Sequence, residues 1–407
     1  SKNKNIVNDK ILLMPCWDHI NSRLMQARLI QEGIDARLIP DTIESIQRSL
    51  QHNTGQCIPL NIIAQNAMEY VRQNNLDPAK CVLWMFDSSI SCNVRMYPYY
   101  LRKLMQQQGG GMENLAVYIG ELTFTDFSYS TAIDIYFAHM FGGLLRKMGC
   151  RLRPYENIPG STDKAIEEST EILFNMFKTG SDKEEALEKV ISLLEKIDIT
   201  PGSKPKVALF GDLYVRDNDI MNQQLIKTIE QNGGEVVTTP YNEYLKLIAS
   251  PYIRKWITEG LYSNAALGKI MITVVNMIEK KYSKYFSRIL KEEIETHDIS
   301  AETLLDKYNI KPEHTGESMD NILKICTIAE RYPDLALFVQ TNPAFCCPSL
   351  VTEAMSQRIE ADTGIPIITI EYDGTGGNKN DVLIPYLRFP RMARTEKSQN
   401  HNEANAG

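Results

Sequence analysis

Short apolar runs along the chain alternate with longer segments in which apolar residues recur at helical spacing. A strand followed by a helix and a second strand is the unit from which helix-covered parallel sheets are built. In the first half, the predicted strands are residues 11–14, 36–39, 82–86 and 115–119, and the predicted helices are residues 21–31 and 99–107. This half is therefore predicted to be an α/β domain.

The same pattern starts again after Pro201-Gly-Ser-Lys-Pro205, a linker-like segment. Here the predicted strands are residues 206–210, 235–238, 335–339 and 365–371, and the predicted helices are residues 219–231 and 350–361. Between the halves, residues 161–197 have Glu and Lys at helical spacing, and residues 244–331 are helical in pattern almost throughout.

We therefore predict an α/β protein with two Rossmann-like parallel-sheet domains, a helical connector and a helical insertion. The expected limits are residues 1–160 for the first domain, 161–205 for the connector and linker, and 206–394 for the second domain, with the insertion at 244–331 and a disordered tail at 395–407. Gly142-Gly143 and Gly149 are expected to break the apolar segment that precedes Arg153.

The composition excludes several classes of partner. The 407 residues carry a net charge of −7, so we expect no basic surface for nucleic acid or an anionic membrane. The most apolar window, around residues 270–278, is short and flanked by charges, and no basic-then-apolar leader opens the chain. We expect a cytoplasmic protein, in which the eight cysteines are ligands, redox groups or core residues rather than disulfides.

Three cysteines stand in loops that lead into predicted helices. Cys57 and Cys346 share the pattern Cys-x-Pro, in which proline occupies the first helical turn and the thiolate faces the positive end of the helix dipole. Cys92 follows the strand at 82–86 through a Ser-rich loop. Because α/β proteins bind ligands at the carboxyl ends of their strands, we expect these thiolates to converge. Cys347 is an alternative to Cys346, although the spacing shared with Cys57 favours Cys346.

The other cysteines favour simpler interpretations. Cys81, Cys150 and Cys326 begin or lie within apolar elements, where free cysteine behaves as a small hydrophobic residue. Cys16 follows the first predicted strand; a packing role is favoured, and a role as a spare ligand is the alternative.

Thiolates from separate loops fit an iron–sulfur cluster better than zinc, because structural zinc sites favour Cys-x-x-Cys knuckles and this chain has none. Tyr97, Tyr99 and Tyr100, near Cys92, are candidate hydrogen-bond donors at the site, although aromatic residues at such spacing are more often core residues. Gly374-Thr-Gly-Gly-Asn378 lacks both the Gly-x-Gly-x-x-Gly and the Walker patterns, so we expect a turn there. With no nucleotide motif in view, any ATP is expected to be handled elsewhere.

The order of several short motifs resembles the 2-hydroxyglutaryl-CoA dehydratase D-component family, and more closely the related carboxy-terminal region of large CoA-substrate-specific activase proteins. The resemblance covers most of the chain, from Leu13 to Tyr386. The motifs that carry it are Cys57-Ile-Pro59, Ile90-Ser-Cys92 before Tyr97 and Tyr100, Arg153-Pro-Tyr-Glu156, Gly211-Asp-Leu-Tyr-Val-Arg-Asp-Asn218, Phe345-Cys-Cys-Pro-Ser349 and Ile365-Pro-Ile-Ile-Thr-Ile-Glu-Tyr-Asp-Gly374.

Such proteins hold a 4Fe–4S cluster through three cysteines per subunit and receive one electron from an ATP-hydrolysing activator for low-potential chemistry on CoA thioesters. The resemblance implies that Cys57, Cys92 and Cys346 are the ligands, that this chain binds no nucleotide itself, and that its partners are an activator protein or domain and a second copy or related subunit. A double-cubane cluster, known in some relatives, would need more cysteines than these loops offer. Relatives often have Gly-Pro-Cys-Arg where this chain has Ile-Ser-Cys-Asn, a change that bears on the substrate or partner contact more than on the cluster.

Two functions stay open on the sequence. One is a cluster-bearing dehydratase or reductase component, and the other is a non-catalytic electron-transfer or scaffold module. The sequence does not identify the substrate. It also does not show whether the chain is free-standing or part of a longer polypeptide.

Overall fold

Two four-stranded parallel sheets form the framework of the computed structural model, which describes residues 7, 9–87, 92–121, 129–291, 301–311 and 316–391. The strands are β1 (Ile11–Pro15), β2 (Asp35–Ile39), β3 (Cys81–Asp87), β4 (Ala116–Glu121), β5 (Lys206–Gly211), β6 (Glu235–Val237), β7 (Leu335–Pro343) and β8 (Ile367–Tyr372). Their orders are β2-β1-β3-β4 and β6-β5-β7-β8, so each sheet has its switch point between its first and third strands. The predicted α/β class with two parallel sheets is confirmed.

Helices connect the strands and cover the sheets. In the first half they are α1 (His19–Gln31), α2 (Ile43–Ser49), α3 (Ile58–Gln73), α4 (Tyr97–Gln108) and α5 (Tyr129–Leu152), followed by α6 (Ser161–Thr179) and α7 (Lys183–Leu194). In the second half they are α8 (Leu225–Gln231), α9 (Tyr241–Thr258), α10 (Tyr262–Leu290), α11 (Ala301–Lys307), α12 (Glu317–Arg331), α13 (Cys347–Ala354), α14 (Ser356–Thr363) and α15 (Ile384–Arg388). The predicted tail at 395–407 lies outside the described residues.

The expected break at Gly142-Gly143 and Gly149 is wrong, because α5 runs through all three glycines. Their role is close packing rather than helix termination. A Cβ at Gly142 would lie 1.9 Å from Oδ1 of Asn21 in α1, and one at Gly143 would lie 3.0 Å from Cβ of Pro240. The glycines therefore let α5 approach its neighbours without ending the helix.

The helix predicted at 219–231 begins only at Leu225. Before it, side chains satisfy the backbone: Asn218 Oδ1 accepts from the N–H groups of Ile220 and Met221, and Asn222 Nδ2 donates to two carbonyl groups. Such local hydrogen bonds compete with a helix, and they produce turns instead. The helix predicted at 350–361 is likewise two helices, α13 and α14, separated at Met355.

The hydrophobic core joins the two halves of the chain. One cluster of buried residues contains Leu83 of the first sheet together with Val207 of the second. A second cluster contains Phe286 of α10 together with Phe141 of α5, and their ring centroids lie 5.9 Å apart. Helix α10, which follows the second sheet's β6 in sequence, thus packs on the first half. The domain limits themselves stay a prediction.

No helix in the described part of the chain is both long enough and apolar enough to cross a bilayer.

Candidate functional site

Cys57 and Cys346 occupy equivalent positions at the starts of two helices. Cys57 is the N-cap residue of α3, and Cys346 is the N-cap residue of α13. In both helices a proline, Pro59 or Pro348, occupies the second helical position, where its missing N–H leaves no hydrogen bond unmade. Both sulfur atoms thus belong to residues at the positive end of a helix dipole, as the Cys-x-Pro spacing predicts.

Cys92 approaches from the carboxyl end of β3. Residues 88–91 lie outside the described residues, and Cys92 is followed by a 3₁₀ turn at Asn93–Met96 that leads into α4. Cys346 follows β7, the strand that holds the same place in the second sheet. The ends of the two third strands therefore each deliver one cysteine.

All three cysteines line one cavity of about 570 Å³, its open mouth included. Cys57 and Cys346 are buried, and Cys92 is half-buried. The other residues that line the cavity are mostly apolar or aromatic: Trp17, Pro59, Ile63, Met85, Asn93, Val94, Tyr97, Asp212, Leu213, Tyr214 and Pro348. The structure thus brings together three thiols from segments far apart in sequence.

Direct hydrogen bonds tie the two halves together beside the cavity. The Ile58 N–H donates to the Ala344 carbonyl at 3.3 Å, which links the first turn of α3 to the loop before Cys346. Asn93 Nδ2 donates to the Phe345 carbonyl at 3.1 Å. The relative placement of the cysteines therefore depends on contacts between the sheets as well as within them.

Burial raises the pKa of the Cys57 thiol well above its usual range, and nearby Asp212, Cys346 and Cys92 act in the same direction. A hydrogen bond from the Tyr97 hydroxyl opposes this and lowers the pKa. Without a compensating positive charge, the protonated form is thus favoured at this position. A bound cation would supply that charge and convert the thiol to a thiolate ligand.

Cys346 and Cys347 have different surroundings although they are neighbours. The Cys346 sulfur accepts a hydrogen bond from Ser349 Oγ at 3.1 Å and lines the cavity. Cys347 is exposed, lies outside the cavity lining, and contacts the Asn93 side chain. The choice of Cys346 as the ligand stays a prediction, and the orientation of the two side chains favours it.

The remaining cysteines do not line the cavity. Cys81, Cys150 and Cys326 are buried within the core, and Cys16 is half-buried near Asp41 and Asp18. Burial and those two carboxylates raise the pKa of Cys16 to about 12. This thiol therefore stays protonated, as suits a packing residue.

Among the polar residues that line the cavity, Tyr97 and Asp212 had no definite role from the sequence. Tyr97 is buried and donates to the Cys57 sulfur, whereas its spacing had favoured a core role with hydrogen-bond donation as the alternative. Asp212 follows β5, where its Oδ1 accepts from the N–H groups of Tyr214 and Val215, each at 2.9 Å. The sequence signals for Asp212 were its place directly after a predicted strand and its membership of the motif at residues 211–218, and neither gave it a role.

Within the described residues, no three His, Cys, Asp or Glu side chains are grouped closely enough to hold one metal ion. The three thiols therefore line one cavity without forming the close group that a single metal ion needs.

The segment Gly374-Thr-Gly-Gly-Asn378 is a turn in the structure. Asp373 Oδ1 accepts from the Thr375 N–H at 2.9 Å, and Gly374 and Gly377 have positive φ angles of 76° and 95°. The backbone of this segment therefore curls around an aspartate side chain, as expected for a turn.

Comparison with models of known protein families gave no match, and no curated protein matched the sequence.

Proposed function

We propose that this chain holds a 4Fe–4S cluster through Cys57, Cys92 and Cys346 and uses it to pass a low-potential electron to a CoA-thioester-like substrate. The electron would come from an ATP-hydrolysing activator protein or domain, and the reaction would be a dehydration or a reduction. The observation that carries the proposal is the convergence of the three cysteines on one cavity. The cluster type, the electron donor and the substrate class are proposed from the resemblance of the motifs to the 2-hydroxyacyl-CoA dehydratase and activase proteins.

The surroundings of the cysteines favour a low reduction potential. Cys57 and Cys346 are only 5% and 4% exposed, and no Lys or Arg is among the described residues that line the cavity. An apolar environment without a cationic side chain disfavours the additional negative charge of the reduced cluster. An electron would therefore be accepted only from a strong or energised donor, which agrees with an ATP-driven activator.

The residues of this chain would have separate tasks at such a site. When bound, the cluster supplies the one-electron chemistry. The helix starts at Cys57 and Cys346 orient two thiolates, and Tyr97 directs its hydroxyl proton at the Cys57 sulfur. Trp17 and Ile63 provide apolar walls that limit the access of water.

A second candidate is a non-catalytic module that relays electrons or binds a partner. The half-buried position of Cys92 favours it, because an electron carrier needs one ligand near the surface rather than a substrate pocket around the cluster. The two candidates differ in their need for ATP hydrolysis and in turnover of a CoA thioester under strict anaerobiosis.

The proposal is tested by iron content. Protein reconstituted anaerobically with iron and sulfide should be brown and contain about four irons per chain. Cys57→Ser, Cys92→Ser and Cys346→Ser should each lose most of this iron. Cys81→Ser, Cys150→Ser and Cys347→Ser are the matched controls, and they should keep it. Colourless wild-type protein would refute the cluster, and iron loss in Cys347→Ser with retention in Cys346→Ser would refute the chosen ligand.

A further inference from the structure

Three cysteines leave one iron of a four-iron cluster without a thiolate. The identity of the side chain that binds this iron is a question that rests on the proposed function. The residues that line the cavity limit the candidates. Besides the cysteines, the lining residues with polar side-chain atoms are Trp17, Asn93, Tyr97, Asp212 and Tyr214. The indole N–H of Trp17 can only donate a hydrogen bond, so it is no metal ligand.

Three of the other side chains are engaged elsewhere. The Tyr214 hydroxyl donates to both carboxylate oxygens of Asp41, at 2.8 and 2.7 Å. The Tyr97 hydroxyl donates to the Cys57 sulfur. Asn93 Nδ2 donates to the Phe345 carbonyl and also contacts the sulfur of Cys347. Each of these groups would have to give up a hydrogen bond to bind iron.

Asp212 differs from them because only one of its two carboxylate oxygens accepts hydrogen bonds from the described residues. Oδ1 accepts from two backbone N–H groups, those of Tyr214 and Val215, and this fixes the side chain. Oδ2 accepts no hydrogen bond from any described residue, and Asp212, 8% exposed, lines the cavity. A carboxylate oxygen that has no protein donor is open to a cation or another polar group.

The position of Asp212 also matches the geometry of the site. It follows β5, the first strand of the second sheet, and β5 is the neighbour of the strand β7 that delivers Cys346. Carboxylate oxygen is an established ligand type for iron in proteins.

We infer that Asp212 would supply the fourth ligand of the proposed cluster through Oδ2. The cluster then has one iron on oxygen and three on sulfur. Oxygen is the harder and more readily displaced ligand, so the iron on Asp212 is the one released when the cluster is oxidised. In that reaction a 4Fe–4S²⁺ cluster loses one Fe²⁺ and one electron and becomes a 3Fe–4S⁺ cluster.

The test compares Asp212→Asn with Asp373→Asn. Asn keeps the acceptor for the two backbone N–H groups at position 212 but replaces the ligating oxygen by an amide. Asp373 is a matched control, because its Oδ1 also accepts from the N–H two residues on, and it does not line the cavity. With ferricyanide as oxidant, we expect Asp212→Asn to form the 3Fe–4S signal in electron paramagnetic resonance about tenfold faster than wild type. Asp373→Asn should match wild type.

A measurement on the unaltered protein removes any dependence on folding of the variant. Wild-type protein labelled with carbon-13 aspartate should show a carbon-13 hyperfine coupling to the reduced cluster in electron–nuclear double resonance. Absence of this coupling, or equal oxidation rates in wild type and Asp212→Asn, would overturn the inference while leaving a cluster on three cysteines. A wild-type protein that takes up no iron would instead refute the proposed function itself.

Discussion

At the scale of single residues, Tyr97 acts on the electrostatics of the cavity through the Cys57 sulfur. Its hydroxyl is buried, and burial together with Cys57 raises its pKa well above its usual range. It therefore stays protonated and remains a donor to sulfur at every pH at which the protein is folded. A fixed donor of this kind stabilises negative charge on the sulfur.

We expect Tyr97→Phe to lower the reduction potential of the cluster, because the reduced form loses a hydrogen bond. The shift should be about 40 mV, which corresponds to about 1 kcal/mol for a one-electron couple. A potentiometric titration followed by electron paramagnetic resonance measures it. Tyr100→Phe is the control, since the Tyr100 hydroxyl contacts Thr54 rather than a cysteine. An unchanged or higher potential in Tyr97→Phe would show that the hydroxyl does not act on the cluster.

Asp41 is a buried carboxylate held between the two halves. Tyr214, Asn218 and Asn66 donate to its oxygens at distances from 2.6 to 2.8 Å. Burial raises the pKa of Asp41 to about 6, and these hydrogen bonds only partly oppose it. The folded state therefore binds a proton more tightly than the unfolded state, whose carboxyl titrates at about 3.9.

The sign of the resulting pH dependence follows from that difference. Between about pH 4 and 6 the folded state carries more protons at this site, so the contribution of Asp41 to the free energy of unfolding falls as pH rises. Over the whole window this amounts to about 3 kcal/mol. In urea denaturation of the iron-free protein, the stability advantage of wild type over Asp41→Asn should therefore be larger at pH 4 than at pH 7.

Asp373→Asn is the control for this titration. Hydrogen bonds from Thr375 and Lys379 outweigh partial burial and lower the pKa of Asp373, so its contribution should have the opposite sign and be lost as pH falls. A difference between wild type and Asp41→Asn that does not change with pH would contradict the buried titration.

The candidate residues illustrate how far sequence reasoning reaches at this scale. Cys57 and Cys346 were recognisable because Cys-x-Pro is a local signal for the start of a helix, and both residues are helix N-caps. Asp212 carries no such signal. Its place in the cavity depends on the pairing of β5 with β7, which joins residues more than a hundred positions apart, and a local pattern does not encode that pairing.

At the scale of elements, the end of β5 requires glycine. Gly211 has a φ angle of +118°, and a Cβ there would lie 2.4 Å from the carbonyl oxygen of Thr341 in β7. Backbone atoms of a paired strand cannot move aside easily. The close approach of the two strands, directly before Asp212, is therefore possible only without a side chain.

We expect Gly211→Ala to reduce the free energy of unfolding by about 3 kcal/mol or more, from backbone strain and from the clash with β7. Gly376→Ala is the control: a Cβ there meets nothing within 4 Å, and the change should stay within about 0.5 kcal/mol. Urea denaturation of the iron-free proteins gives both values. Equal stabilities for the two variants would show that the strands can separate at this point.

The predictions were right for elements that a local hydrophobic periodicity determines, and wrong for features that tertiary contacts determine. The apolar run at 335–339 is part of β7, whose positions are all buried, because a parallel strand in the centre of a sheet is covered on both faces. Gly142 and Gly143 suggested a break, yet the demand for close packing against Asn21 and Pro240 explains them instead. In a single sequence, a glycine that ends a helix looks the same as a glycine that lets a helix pack closely against its neighbours.

At the scale of the whole molecule, the cavity opens where a partner can reach it. Phe345, next to Cys346, is 49% exposed, and Cys347 and Asn93 are exposed or half-exposed beside it. Within the described residues, the only glycine-rich turn after a strand lies at 374–378. It is closed around the side chain of Asp373 and does not form an open phosphate-binding loop. Under the proposed function, we expect the ATP-hydrolysing partner to dock over this mouth.

We expect the cluster spectrum to bleach when the chain is mixed with its activator, a reductant and ATP. A non-hydrolysable ATP analogue should not support bleaching, because only hydrolysis supplies the energy to reach a potential that ordinary donors do not. Absorbance near the cluster band, recorded anaerobically, follows the reaction, with a mixture lacking the activator as control. If reductant alone bleaches the cluster as fully, the chain is a simple electron carrier.

The pairing of β7 with β5 also fixes when the site can come into being during protein synthesis. Cys57 and Cys92 leave the ribosome before Cys346, which follows with its strand only after α9 to α12 have been made. At about 5–20 residues per second, the interval between Cys92 and Cys346 is roughly 10 to 50 seconds. Throughout that interval the nascent chain has two of the three thiols and no cavity, so the proposed cluster could be bound by all three cysteines only after Cys346 has been made.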